Sequence, residues 1–475
     1  MMPEEFQRQI YVLSPRRLSP ETIAVTFAKT SRSPLTFQEI ADELTDEASA
    51  EFHEKWVVGY GHASVAEHAV LHLALENVSR LATECIESNR LASYTEKSTR
   101  YQKWAPGGYH LPREVIGGSQ ESIYRTCCDR LFQAYRDSLD PVRERVRERS
   151  PRREGESDSA WEVRTRSKYV DACRFLLPAA ALANVGMTIN ARALEHAIQK
   201  MLSHPLIEVR EIGQTIKEVA QDEVPTLVKY ADRVPYLMAT RADLASQSAR
   251  LGLDQRNEPL RLIAHDPEGE TRVMAAALFA QGTCSFDQAL AHVRSLEGEA
   301  RLDLAKTILG RLDRFNIPLR ELEHATYTFE ALIDQGAYLE LKRHRMMTQT
   351  PQPLTVEMGY AVPKLITEAG FERNFREAMD IAIDVYHELV DWNPHVASYV
   401  VPNAFNRRVL MTLNLREVYH LCELRSQPNA HFSMRRLALM MAEQVRQVHP
   451  VIAAFLRLPE GVHWRGIEAE NFTQA

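Results

Sequence analysis

An internal repeat constrains this chain more than any other feature. Residues 176–196 read LLPAAALANVGMTINARALEH and residues 400–420 read VVPNAFNRRVLMTLNLREVYH. Pro178, Met187, Thr188, Asn190, Arg192 and His196 answer Pro402, Met411, Thr412, Asn414, Arg416 and His420, each pair 224 residues apart. A fainter echo lies upstream, where GHASVAEHAVLHLALENVSR (61–80) parallels RELEHATYTFEALIDQGAY (320–338) and Ser88-Asn89-Arg90 stands where Arg343-His344-Arg345 recurs. Self-similarity at this scale means two copies of one folding unit. Apolar periodicity fades near 235–265, which predicts one repeat over 1–240 and a second over 260–475. The first carries about 31 extra residues between Arg90 and Pro178, an insertion placed near 120–160. Within it the stretch 143–160 interleaves arginine with glutamate, so a solvated helix end and loop is expected rather than a phosphate-binding arm.

Three- and four-residue apolar spacing over EFHEKWVVG (51–59), AVLHLALENVSRLATECIESNRL (69–91) and REVYHLCELR (416–425) predicts helices. EHAVLHLAL (67–75) and ATYTFEAL (325–332) are short and β-rich enough to be strands instead. The expected class is α+β with helix dominant. Fifty-seven Lys+Arg against 64 Asp+Glu leave a net charge of −7, which excludes broad electrostatic attraction to nucleic acid or anionic membrane. The 6 cysteines form no C-x-x-C pair, so neither a metal site nor a disulfide framework is expected. Acids and arginines near the start, with no apolar run approaching about 18 residues, read as a soluble cytoplasmic protein.

Candidate chemistry sits at four places. Asn414, Arg416, His420 and Arg425 share one expected helix; eleven residues, about three turns, put Asn414 and Arg425 on one face roughly 16 Å apart. The span suits a cofactor, and equally a polar face in water. Arg343-His344-Arg345 ends a helical run, where guanidinium forks suit phosphates, carboxylates or an electron-rich ring edge, and where basic residues also complement a helix dipole. Glu96, Ser98 and Arg100 cluster in SYTEKSTRY (93–101): the Ser-Arg pair can converge on a phosphate and Glu96 can accept from a ribose or base, unless the stretch is a polar turn. His62 and Ser64 follow a Gly-x-Gly that lets a backbone approach a ligand, although such a histidine is also a common structural element.

Together GHASVAEH (61–68), SNRLASYTEKSTRY (88–101), RFLLP (174–178) and NAR (190–192), echoed by EH (323–324), RHRMMTQTPQPLT (343–355), YVVP (399–402), NLR (414–416) and LR (424–425), resemble the flavin-dependent thymidylate synthases. The resemblance covers nearly the whole chain twice and implies a tandem duplication of that fold. It further implies reductive methylation of dUMP to dTMP, with FAD as redox carrier and with NADPH and methylenetetrahydrofolate as cosubstrates. Carried over motif by motif, it gives Glu96, Ser98, Arg100, Arg174, Arg343 and Arg425 to dUMP, with Arg425 as the catalytic residue. It gives His62, Ser64, Asn190, Arg192, Arg343, His344, Arg345, Asn414, Arg416 and His420 to FAD. A family that assembles as a tetramer implies a homodimer of tandem chains.

The departures are systematic. The first repeat has Ser88-Asn89 for Arg-His and Met201 for the late arginine, whereas the second has Pro351–Thr355 for the E-x-S-x-R loop, Ser398 for the R-x-x-L-P arginine and Pro318 for the early histidine. Cys85 and Glu340 stand where the family has a nucleotide-contacting glutamine. Neither half holds a whole site, but the losses are complementary, so one composite site built from both repeats is expected. The alternatives are a diverged flavoenzyme acting on another pyrimidine nucleotide and an inactive nucleotide-binding scaffold.

Overall fold

A computed structural model of the chain describes residue 11 and residues 13–30, 33–59, 63–100, 103–252 and 256–473. Each repeat builds the same antiparallel arrangement. In the first, β1 (Val70–Ser79), β2 (Ala92–Glu96) and β3 (Leu182–Asn190) lie in the order β1-β3-β2. In the second, β5 (Thr326–Asp334), β6 (Thr348–Pro351) and β7 (Asn406–Asn414) repeat that order, and β4 (Leu260–His265) is added outside β5. The registers coincide: Val70 faces Asn190 as Thr326 faces Asn414, and Leu73 faces Met187 as Phe329 faces Met411. One difference is a bulge in β1 between Leu75 and Val78, where Asn77 takes φ 55°. Asn77 is the extra residue of a two-against-one bulge, and its N–H donates to the Asn184 side chain at 3.1 Å.

The bulge corrects part of the sequence reading. Residues 70–79 are a strand, not the start of a long helix; the helix begins only at Arg80 and ends at Ile86. Leu71, Leu75 and Val78 are buried while their neighbours are largely exposed, and cross-strand pairing with β3 overrides a periodicity that also fits a helix. The other short β-rich segment is β5. The helix expected over 51–59 is present: the α-helix Asp46–Phe52 runs straight into a π-helix over 53–59.

Side chains at strand ends start the helices. Ser79 accepts from Ala82 N–H, as Asp334 does from Ala337 N–H at the start of the helix Gln335–Leu341. Asn190 caps Ala191–Leu202 and Asn414 caps Leu415–Arg425 in the same way. The insertion proves to be added helix. Gln120–Arg149 has 30 residues against 19 in Glu372–Val390, and Asp158–Cys173 has 16 against 4 in Pro394–Ala397. Its arginines are spent on neighbouring carboxylates, among them Arg164 with Glu156 at 2.7 Å and Arg152 with Asp158 at 2.8 Å.

The compact units cut across the repeats. One unit holds the described residues through Lys97 together with Pro112–Glu114 and Leu182–Gly252; the other holds those of Ser98–Leu111, Val115–Ala181 and Leu253–Ala475. Repeats spanning 1–240 and 260–475 are thus a different division of the chain from its packing units. Within the second unit, the repeat-equivalent prolines Pro178 and Pro402 face each other across an antiparallel bridge. Ala179 and Ala180 N–H donate to Val401 and Tyr399 carbonyls, and Asn403 and Ala404 N–H donate back to Leu177 and Phe175. Such reciprocal contact of one patch with its own counterpart is the signature of an isologous interface, here made inside a single chain.

In the first unit β3 buries Ala183, Val185, Met187 and Ile189 on one face, against helix residues Leu194, Ile198 and Met201. The helix Ile207–Gln221 packs on this layer through Gly213, where an added Cβ lies 2.7 Å from Met201 Cβ. Gly213→Ala is expected to destabilise the protein by about 1–3 kcal/mol through overpacking; a urea midpoint equal to wild type refutes the tight contact.

Candidate functional site

Three arginines converge in the second unit. Arg174 extends the helix Asp158–Cys173 by one turn, with its side chain only 2% exposed. It donates through Nη1 to Thr99 Oγ1 at 2.8 Å and through Nη2 to the Gly336 carbonyl at 3.1 Å. At Gly336 an added Cβ would stand 3.0 Å from the capping Asp334 carboxylate and at ordinary contact distance, 3.7 Å, from Arg174 Nη2; the first repeat has Leu81 at this position. Arg100 is held bidentately by Asp171, 2.7 Å at each oxygen, and its Nη1 donates to the Asn429 carbonyl at 2.9 Å. Arg425, at the end of the helix Leu415–Arg425, donates through Nη1 to Glu340 Oε2 at 3.1 Å and through Nη2 to the Glu340 carbonyl at 3.3 Å. Glu340 Oε1 is buried without a hydrogen bond, 3.7 Å from Arg100 and 4.0 Å from Arg174.

His344 continues the network. Its Nε2 accepts from Arg425 Nε at 2.9 Å and its Nδ1 donates to Glu417 at 2.8 Å, which fixes the neutral Nδ1–H tautomer. Burial pushes its pKa below the ordinary histidine range, only partly opposed by Glu417. Burial, with Arg174 and Arg100 pushing the same way, holds the His431 imidazole well below that range. Burial also lowers the pKa of Arg174 and of Arg425, while Asp171 and Glu340 act on the first, and Glu340 on the second, to restore the charge.

Beside this cluster lies a cavity of about 970 Å³, lined by Asn414, Arg416, Glu417 and His420 with Phe315 and Ile317 among its apolar residues. His420 stands 5.4 Å, ring centre to ring centre, from His344, and Asn429 both lines the cavity and bonds Arg100. Arg416 is tied to Glu323 at 2.8 Å and to the Pro318 carbonyl at 3.0 Å. Guanidinium, amide and imidazole donors beside exposed apolar side chains fit a flat, polyanionic cofactor such as FAD in size and chemistry.

The expected residues therefore separate. Arg100, Arg174, His344 and Arg425 come together, and Asn414, Arg416 and His420 line the adjoining cavity. Arg343 is exposed and Arg345 half-buried in the turn after Leu341. Ser98 Oγ accepts from Arg100 N–H at 3.1 Å, which makes it a turn former. Glu96 belongs to the first unit, where it is sealed in an ion pair with Arg80, both side chains 2% exposed. Asn190 caps its helix, Arg192 pairs with Glu67 as Arg416 does with Glu323, and Ser64 is exposed in a tight turn. His62 lies outside the described residues. The sequence reading missed Thr99, Asp171, Glu417 and Asn429. Only Asp171, one helical turn before Arg174, left a signal in spacing, and Asn429 contributes a carbonyl that any residue has.

Among the described residues no group of three or more His, Cys, Asp or Glu is placed to hold a metal, and no helix is long and apolar enough to cross a membrane.

The fold and site define a class: a chain of two like α+β repeats with an arginine cluster beside a cofactor-sized cavity. The family model described as "Thymidylate synthase complementing protein" matches residues 16–226 and again 261–451, and the chain belongs to that family. A UPF0159 protein of Chlamydia muridarum is 34% identical over 435 residues, covering 87% of this chain and 82% of its own length. A flavin-dependent thymidylate synthase of Clostridium tetani is 26% identical over 216 residues, 45% of this chain and 82% of that protein. A solved flavin-dependent thymidylate synthase of Helicobacter pylori, complexed with FAD and dUMP, is 19% identical and covers 42% of this chain and all of its own at TM-score 0.32.

The buried histidines set a pH dependence. His53, His344, His431 and His449 all have pKa values lowered first by burial. An unfolded chain binds protons at these positions from about pH 6.5 downward while the folded chain does not, so the stability they confer is complete above that pH and is lost as pH falls. The thermal midpoint is expected to drop between pH 7.5 and 6, and His431→Gln to flatten the drop by roughly one proton. A midpoint that rises over this interval refutes it.

Proposed function

We propose that this chain is a flavin-dependent methyltransferase of pyrimidine nucleotides, converting dUMP to dTMP at one composite site per chain. The observation that carries this reading is the convergence of Arg100 and Arg174 from the first repeat with His344 and Arg425 from the second, inside one compact unit. Chance decay of two independent sites gives no reason for the surviving residues to meet.

In this reading Arg100 and Arg174 hold the anionic end of the nucleotide. Arg425, fixed by His344 and Glu340, sets a permanent positive charge beside the pyrimidine, where it stabilises electron density as the ring carbon becomes nucleophilic. His344 cannot take up the charge itself, because its Nε2 already accepts from Arg425. Asn414, Arg416 and His420 hold FAD, which supplies redox chemistry when bound. NADPH and methylenetetrahydrofolate are the cosubstrates, and two tandem chains form a homodimer. Five of the six cysteines, Cys85, Cys127, Cys128, Cys173 and Cys422, have their thiol pKa raised by burial, which suits a chemistry that calls on no nucleophilic thiol from them.

Tritium release from C5-labelled dUMP tests the assignment. Arg425→Met, which installs the first repeat's own residue, is expected to lower kcat by about 100-fold or more. Arg100→Ala is expected to raise KM by about 10- to 150-fold, the cost of a charged hydrogen bond. Mixing the two variants is expected to restore nothing, since both residues serve one site of one chain. Full activity in Arg425→Met, or recovery on mixing, overturns the composite site.

A further inference from the structure

Glu417 is a carboxylate that the second repeat has and the first lacks. It stands in the first turn of the helix Leu415–Arg425, with its side chain 6% exposed. The first turn suits an acid through the helix dipole, but that role requires no burial. Oε1 accepts from His344 Nδ1 at 2.8 Å, and among the described residues no hydrogen bond or ion pair reaches Oε2. A carboxylate withdrawn from water is stable when both oxygens find partners, and here the chain supplies a partner for one.

The bond to His344 reaches further. Arg425 Nε donates to His344 Nε2 at 2.9 Å, which requires that Nε2 carry no proton. An acceptor at Nδ1 keeps the proton on that nitrogen, and Glu417 is the acceptor. Without it the proton is free to move to Nε2, where it meets the Arg425 N–H donor to donor. Gln349 Nε2 donates to the His344 carbonyl at 2.8 Å and fixes the main chain of the same residue. In the first repeat Ala193, Asn89 and Met201 stand at the positions of Glu417, His344 and Arg425. The residues that serve the helix itself are kept, Asn190 for Asn414 as cap and Arg192 for Arg416 as the partner of a glutamate. Three side chains bonded in series are therefore present together in one repeat and replaced together in the other.

Glu417 lines the cavity as well, with Asn414, His420 and Asn429. An ionised carboxylate accepts hydrogen bonds and donates none, so Oε2 suits an N–H or O–H of an uncharged part of the occupant and repels a phosphate. We propose that Glu417 is a positioning residue linking the cavity to Arg425: through Oε1 it holds the His344 tautomer that keeps Arg425 in place, and through Oε2 it accepts a hydrogen bond from an uncharged donor group of the bound cofactor. This rests on the flavin-dependent reading above and deepens it, by giving the Glu417 end of the cavity to the ring or ribityl chain of the cofactor rather than to its diphosphate.

Two measurements on the full chain decide the matter: titration with FAD followed by flavin fluorescence, and tritium release from C5-labelled dUMP at saturating FAD. Glu417→Ala, which installs the first repeat's own residue, is expected to weaken FAD by about 10- to 150-fold, the cost of a charged hydrogen bond. It is expected to lower kcat by about tenfold or more while the KM for dUMP stays within about threefold, because Arg100 and Arg174 are untouched. Glu417→Gln has one carbonyl oxygen, which the buried His344 N–H takes, so kcat is expected to recover and FAD affinity to stay low. Because Glu417 acts on turnover through Arg425, Glu417→Ala combined with Arg425→Met is expected to be no slower than Arg425→Met alone. Penalties that multiply in the double variant, or wild-type FAD affinity in Glu417→Ala, overturn the proposal. Should Glu417→Ala not fold, as judged by circular dichroism, Glu417→Gln decides: high kcat with weakened FAD supports the proposal, and any other combination overturns it. A wild type that binds FAD but releases no tritium overturns the reaction and leaves the FAD titration to judge Glu417; a wild type that binds no FAD overturns both.

Discussion

Burying guanidinium groups governs this structure. A charge taken out of water costs several kcal/mol unless it is paired and its hydrogens are satisfied. Arg174 lies in the interior with Thr99, a main-chain carbonyl and the carboxylates of Asp171, Glu340 and Asp334 around it, and Arg100 and Arg425 are nearly as enclosed. Much of the second unit is arranged to permit this. The helix Asp158–Cys173 and its extension present Asp171 and Arg174 on one face, and the helix begun by the Asp334 cap carries Glu340 nearly two turns on. The first unit solves the same problem once, with Arg80 and Glu96. At this point the repeats have diverged most in chemistry while keeping the strand register.

The repeat was legible because its strongest signals are backbone requirements. Asn190 and Asn414 recur as helix caps, and Met187-Thr188 and Met411-Thr412 occupy the same rungs of β3 and β7. Such positions tolerate little change whatever the site nearby does. The strand over 70–79 was harder to read because an inserted residue at Asn77 broke its alternation, and strand and helix periods agree over stretches that short. The packing units were not legible. Which segments associate depends on contacts between distant helices, among them Gln120–Arg149 with Glu372–Val390, and no local pattern encodes them.

The candidate site was legible as a set of residue types and less so as a set of roles. Arginines at Arg100, Arg174 and Arg425 stood out because their counterparts in the other repeat are different residues. What each arginine binds at rest was hidden, since Asp171 and Glu340 look in sequence like any helical acids. Asn414, expected as a ligand, also caps its helix, and Glu96, expected as a ligand, is paired with Arg80; neither resting partner could be read from the sequence.

The bridge at Pro178 and Pro402 has a kinetic consequence. Surfaces that meet this way in separate subunits part on dilution, and both must keep every residue, since one gene encodes each side. Joined by a single chain, they face each other at an effective concentration set by the intervening polypeptide, on the order of millimolar for a flexible tether, whatever the abundance of the protein. Once the partners are always the same two and always present, each side is free to discard what the other supplies.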